Sequence, residues 1–237
     1  MTQEIKVQAE QKQLANLASE WGGGQVVTHN DIVISKILPL NHMSEKVRDG
    51  QGKYGEFRDT FSNELFGNLE TPFEVIPVAM EKKWLEFDLI AGKSGTKKRE
   101  FKRVVRIVDI PGPDFNDNLP YAEEGIERDR CMDFYVLVPM EVAKGGAIPY
   151  VVSFKRTSLR AGKKLATQMF IRNSAAKKSP AAVVCTLSGK SIQNDDGEYV
   201  VQDVVPSREA TVEEVTQALS WYRKIVAGQT VVQETGE

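Results

Sequence analysis

Cysteine, histidine and long apolar runs are all scarce in this 237-residue chain. The two cysteines, Cys131 and Cys185, are far apart in sequence and cannot make a zinc site unaided. No secretory leader is read from the opening residues, so both are expected to be reduced packing residues in a cytoplasmic protein. His29 and His42 are the two histidines, and neither sits in the spacing of a catalytic triad or a metal-ligand set. No apolar run approaches the ~20 residues that a membrane-spanning helix needs. The expectation is a soluble protein with no metal, no cofactor and no membrane partner.

Fragments that mimic catalytic motifs fail on named residues. Gly50 to Gly55 matches G-x-G-x-x-G. A dinucleotide site needs a strand before those glycines and a helix after them. Here Met43 to Asp49 is polar and Glu56 to Ser62 reads as extended, so a glycine-rich hairpin is expected instead. Gly92-Lys93-Ser94 and Gly189-Lys190-Ser191 resemble the end of a phosphate loop, but Phe87 and Val184 occupy the position of the required upstream glycine. Asp114, Asn116 and Asn118 open like a calcium loop, which Leu119 and Gly125 then break. With no carboxylate cluster or nucleophile–base pair standing out, the chain is not expected to be an enzyme.

A further scarcity is local. Lys and Arg number 31 against 33 Asp and Glu, yet the 53 residues from Val142 to Asn194 hold no acid at all. That window carries ten bases: Lys144, Lys155, Arg156, Arg160, Lys163, Lys164, Arg172, Lys177, Lys178 and Lys190. A smaller block, Lys93 to Arg106, has seven bases against Glu100. Such segregation marks a surface for an anionic partner, set against acidic stretches at Asp109 to Asp133 and beyond Asp195.

The pattern of the core is mostly strand. Runs are read at Asp31 to Leu38, Tyr54 to Phe61, Phe73 to Phe87, Phe101 to Ile110, Cys131 to Met140, Ile148 to Phe154, Ala182 to Leu187 and Tyr199 to Val205. Pro77 must then lie at an edge or a bulge. Pro111 to Arg130 reads as a long loop. Helices are expected at Ser158 to Arg172, with Leu159, Leu165, Met169 and Phe170 inward, and at Thr211 to Val226. The second opens on a Thr211/Glu214 capping box and repeats Val212, Val215, Leu219, Tyr222 and Val226 at helical spacing. Residues 1–24 read as a helical arm with a glycine joint, 25–206 as the core, and 207–237 as the C-terminal helix and tail.

Aromatics interleave with bases at three places: Lys53, Tyr54, Phe57 and Arg58; Phe101, Lys102 and Arg103; and Phe154, Lys155 and Arg156, followed by Arg160, Lys163 and Lys164. Bases neutralise phosphates, and an aromatic stacked on a nucleobase adds about 1–3 kcal/mol without reading its identity. These thirteen residues form the candidate nucleic-acid surface.

The segment from Ile32 to Val205 resembles single-stranded DNA-binding proteins of bacteriophages, on Ile37 to Val47, Gly50 to Phe57 and Val152 to Leu165. The resemblance implies an OB-like antiparallel barrel within a mainly β chain with few helices. It further implies sequence-tolerant binding of single-stranded DNA, with RNA left open, in phage replication or recombination. It places the binding role on Lys155, Arg156, Arg160, Lys163 and Lys164. Partners would include replication or recombination proteins or a second copy of the chain. One departure is the C-terminus: Gln229 to Glu237 has two acids and lacks the acidic, apolar-tipped tail through which many such proteins recruit partners. The competing expectation is a phage assembly or protein-interaction module that turns its basic face to an acidic partner.

Overall fold

The computed structural model describes residues 33–91, 97–106, 125–194, 197–227 and 231–232. The expected N-terminal arm (1–24) lies outside them. A nine-stranded mixed sheet dominates. Its strands are β2 (Lys36–Pro39), β3 (Phe57–Asp59), β4 (Leu65–Gly67), β5 (Phe73–Ala91), β6 (Lys97–Arg106), β7 (Ile126–Leu137), β8 (Tyr150–Lys155), β9 (Val183–Asn194) and β10 (Gly197–Glu209). They run in the order β10-β9-β5-β7-β8-β2-β3-β4, with β6 also paired to β5. Every pairing is antiparallel except β2 with β8. A separate parallel pair joins β1 (Val33–Ile34) to β11 (Val231–Val232).

Strand β7 explains the continuous apolar run around Cys131 to Leu137. Met132, Phe134 and Val136 point into the main core, while Tyr135 and Leu137 point into a second core on the other face. A strand covered on both sides needs no polar alternation. Pro77 lies at a bulge, where the β5–β7 register shifts between Pro77 and Ala79. The expected loop from Pro111 to Arg130 is corrected at its end, because Ile126 to Arg130 already pair with β5; residues 107–124 lie outside the described part.

The barrel expected from the resemblance does not close: no strand pairing joins β10 to β4 among the described residues. Packing does what pairing does not. The β9–β10 hairpin curls back until the Val200 amide donates to Asn41 Oδ1 (2.9 Å). A Cβ on Gly189 would meet Val200 at 2.8 Å, Leu69 at 3.0 Å and Phe57 at 3.1 Å, so this glycine is what permits the approach.

Pro139–Val142 is a single turn, α2, preceded by the short α1 (Glu45–Arg48). Helix α3 (Leu159–Ala166) continues through a π-helical turn, Thr167–Arg172, to Ala175. It lies across the main core with Ala161, Leu165 and Met169 buried. A Cβ on Gly162 would come within 2.9 Å of Phe154 Cβ, so the helix rests directly on β8.

Helix α4 (Val212–Val226) has the expected capping box: Thr211 Oγ1 accepts from the Glu214 amide (3.2 Å) and Glu214 Oε2 from the Thr211 amide (2.7 Å). The stripe that repeats at helical spacing is not the face that packs on the sheet. Glu214, Ala218, Trp221 and Ile225 turn to the protein, with Trp221 Nε1 donating to the Ala147 carbonyl (3.0 Å). Val212, Leu219, Tyr222 and Val226 are exposed. The large indole finds both an apolar bed and an acceptor on this side, and that sets the rotation of the helix.

Candidate functional site

The spacing of α3 dictates a basic edge. With residues 161, 165 and 169 buried, Arg160, Lys163, Lys164 and Thr167 fall on the solvent side, one turn apart. The start of the helix is tied to β10 by Ser158 Oγ, which accepts from the buried Gln202 amide (3.0 Å). One turn further on, Lys164 Nζ meets Asp203 Oδ1 at 2.6 Å. Beyond that tie, helix and strand enclose a groove of about 470 Å³. Leu165, Cys185 and Val204 form its floor, Val205 and Pro206 its far wall, and Arg160, Lys163, Lys164 and Arg172 its basic rim.

The rim charges are available to a ligand. Among the described residues, Arg160, Lys163 and Arg172 have no carboxylate partner, and Lys164 has one. Burial disfavours the charged form of Asp203, but the Lys164 bond and the Val204 amide outweigh it and hold its pKa below the usual carboxylate value. The groove thus carries four positive charges against one fixed negative.

The π-helical turn alters which side chains the helix leaves exposed. An extra residue in the turn shifts the phase of the helical residues after it. Phe170, expected inward, is 45% exposed, and Ile171 beside it is 63% exposed. These two, with Arg172 and the wall residues Val205 and Pro206, were not singled out by helical spacing. The acid-free window contains Phe170, Ile171 and Arg172 but gives no sign of the phase shift.

The other expected site residues are dispersed. Phe57 and Phe154 are fully buried in the main core, which corrects their assignment as stacking surfaces. Phe101 is half-buried against Leu85 and Phe87. Tyr54 stacks on His42 (4.0 Å between centroids, planes 2° apart) and its hydroxyl meets Ser191 Oγ at 2.7 Å, tying the glycine turn to the β9–β10 hairpin. Arg58 is held by Glu56 (2.7 Å) and donates to the Asn63 carbonyl (2.8 Å). Lys53 is exposed on that turn, away from α3's groove.

The second basic block is largely neutralised. Arg103 lies opposite Glu86 across β5–β6 and pairs with it at 2.5 Å, while Arg128 reaches the same carboxylate from β7 at 2.7 Å. Lys102 pairs with Asp88 (3.1 Å), Arg106 with Glu81 (3.1 Å), and Arg99 with Asp129 (2.8 Å). Arg156, at the end of β8, also bonds Asp129 (2.7 Å). Lys93 and the side chains of Lys97 and Lys98 lie outside the described residues.

Lys155 points away from the groove, on the face opposite Phe154. It borders a small void with Lys36, Leu38, Lys83, Leu85, Cys131 and Ser153, and burial pushes its pKa down. Nearby, Lys83 and Asp133 form a buried ion pair at 2.6 Å.

Among the described residues, no cluster of His, Cys, Asp and Glu could hold a metal ion, and no helix is long and apolar enough to cross a membrane. A family model described as Pam3 phage gp34-like protein matches residues 6–231. No curated protein and no solved structure matches the chain.

Proposed function

The chain belongs to the Pam3 phage gp34-like protein family, and from that premise we propose that it binds single-stranded DNA through the α3–β10 groove, without catalysis. The observation that carries this reading is the rim: Arg160, Lys163 and Arg172 lack carboxylate partners among the described residues, and they border the apolar floor of Leu165, Cys185 and Val204. Phosphates would neutralise the rim while bases rest on the apolar floor. Gln168, the carboxamide among the lining residues, already donates to Asn173 Oδ1 (2.9 Å), and contact with an apolar floor reads no base identity, so the reading is of binding tolerant of sequence. Binders of the OB type use a curved sheet and its loops in this way. Here the curled open sheet supplies the wall, and the helix laid across it supplies the charge. Service in phage replication or recombination, in the host cytoplasm, is the role that such binding fits.

Fluorescence anisotropy of a labelled single-stranded oligonucleotide tests the proposal. Three to four neutralised phosphates predict that affinity falls about 20- to 50-fold between about 50 and about 200 mM salt. Absence of binding at the lower salt, or binding indifferent to salt, contradicts it. Stronger binding of duplex competitor redirects it to another nucleic acid, and displacement by an acidic peptide alone favours the assembly-module reading.

A further inference from the structure

Three of the four rim charges follow from an ordinary helix, and the fourth does not. At about 100° per residue, Lys163 stands about 60° to one side of Arg160 and Lys164 about 40° to the other. In an unbroken α-helix Arg172 would stand about 120° around from Arg160. That is the middle of the buried face, between Ala161 at about 100° and Leu165 at about 140°. The π-helical turn Thr167–Arg172 takes in one extra residue, which returns about 100° and brings Arg172 to within about 20° of Arg160. Arg172 accordingly lines the groove with Arg160, Lys163 and Lys164.

Asn173 takes the place that Arg172 vacates. It falls about 120° from Arg160, on the inner side, and is 3% exposed. Both ends of its amide are bonded: Oδ1 accepts from Gln168 Nε2 (2.9 Å), and Nδ2 donates to the Pro180 carbonyl (3.0 Å). Gln168 and Asn173 are five residues apart, the repeat of a π turn, whereas side chains at that spacing on an α-helix stand about 140° apart. A return to the α form would separate the pair and strip a buried amide of its partners, which opposes that return.

We infer that Asn173 is a positioning residue for the groove: through its bond to Gln168 it fixes the π turn that sets Arg172 on the rim. Asn173 itself is not among the groove's lining residues. The inference rests on the α3–β10 groove being the single-strand site.

Fluorescence anisotropy of the full chain with a labelled single-stranded oligonucleotide tests it through a double-variant cycle. Arg172→Ala should weaken binding about three- to fivefold and flatten the slope of log affinity against log salt by about 0.7, the share of one phosphate. Asn173→Ala should do the same, because Arg172 leaves the rim. Combined, the two should weaken binding no further than either alone, whereas Asn173→Ala with Arg160→Ala should show the product of both losses. Losses that multiply for Arg172 and Asn173, or an Asn173→Ala variant with wild-type affinity and slope, overturn the inference while the groove reading stands. Equal non-additivity with Arg160→Ala overturns it too, as a collapse of the whole groove. Gln168→Ala breaks the same bond from a half-buried position and carries the same cycle if Asn173→Ala does not fold. A wild-type chain that binds no oligonucleotide at about 50 mM salt defeats the groove reading, and the inference with it.

Discussion

Two stretches of this chain look alike on paper and differ in space: the basic strand β6 and the basic helix α3. Both concentrate Lys and Arg, and both have aromatics nearby. On β6 nearly every described base meets a carboxylate across the strand, with Glu86 shared between Arg103 and Arg128. On α3 the neighbour in space is β10, which offers Asp203 alone to the rim. A run of like charge becomes a binding surface only if the elements packed beside it withhold the opposite charge. The 53-residue gap in acids is what secures this for α3, since its own flanking segments cannot supply a partner.

The largest expected effect tests the neutralised side of the comparison. Glu86→Ala leaves Arg103 and Arg128 without their shared, fully buried carboxylate. It should lower stability by about 2 kcal/mol, discounted because Arg103 is largely exposed. A melting curve should fall by roughly 4–8 °C, while oligonucleotide affinity stays within about twofold. The pH dependence has a fixed sign. Burial works against the Glu86 charge, but its two arginine bonds outweigh it and hold the pKa below 4.5. A depressed carboxylate contributes stability that is full above the unfolded value and lost as pH falls through the folded one. The gap between wild type and Glu86→Ala should therefore be constant above about pH 5 and shrink in acid below 4.5. A gap that persists undiminished well below that range would remove Glu86 from the account.

A smaller effect sharpens the other side. Asp203 competes with a ligand for Lys164, so Asp203→Asn should tighten single-strand binding by up to about fivefold, the most a half-exposed pair yields. Weaker binding in this variant would mean that Asp203 holds Lys164 in a position the ligand needs.

Much of this was legible in the sequence. The capping box at Thr211 and Glu214, the bulge at Pro77 and the basic edge of α3 follow from local rules, and local rules suffice for them. Four features were not legible, each for a physical reason. The charges of β6 are cancelled by strands that pair with it from distant sequence, and register is a property of the pair. Phe57 and Phe154 alternate with charged neighbours as half-exposed strands do, yet α3 and the curled hairpin cover their face. The rotation of α4 turned on Trp221 and its acceptor at Ala147, which no heptad count weighs against an equally regular stripe. The π-helical turn that exposes Phe170 leaves no spacing signature at all.

The central claim is that α3, and not β6, carries the anionic ligand. It is tested most directly by the salt dependence of single-strand binding in two double variants measured beside the wild type. Arg160→Glu with Lys163→Glu should weaken binding about thirtyfold and flatten the slope of log affinity against log salt by about 1.4, the share of two phosphates. Lys102→Glu with Arg106→Glu, on β6, should leave both slope and affinity near the wild-type values. Equal losses in the two variants, or a loss confined to the β6 pair, would contradict the account.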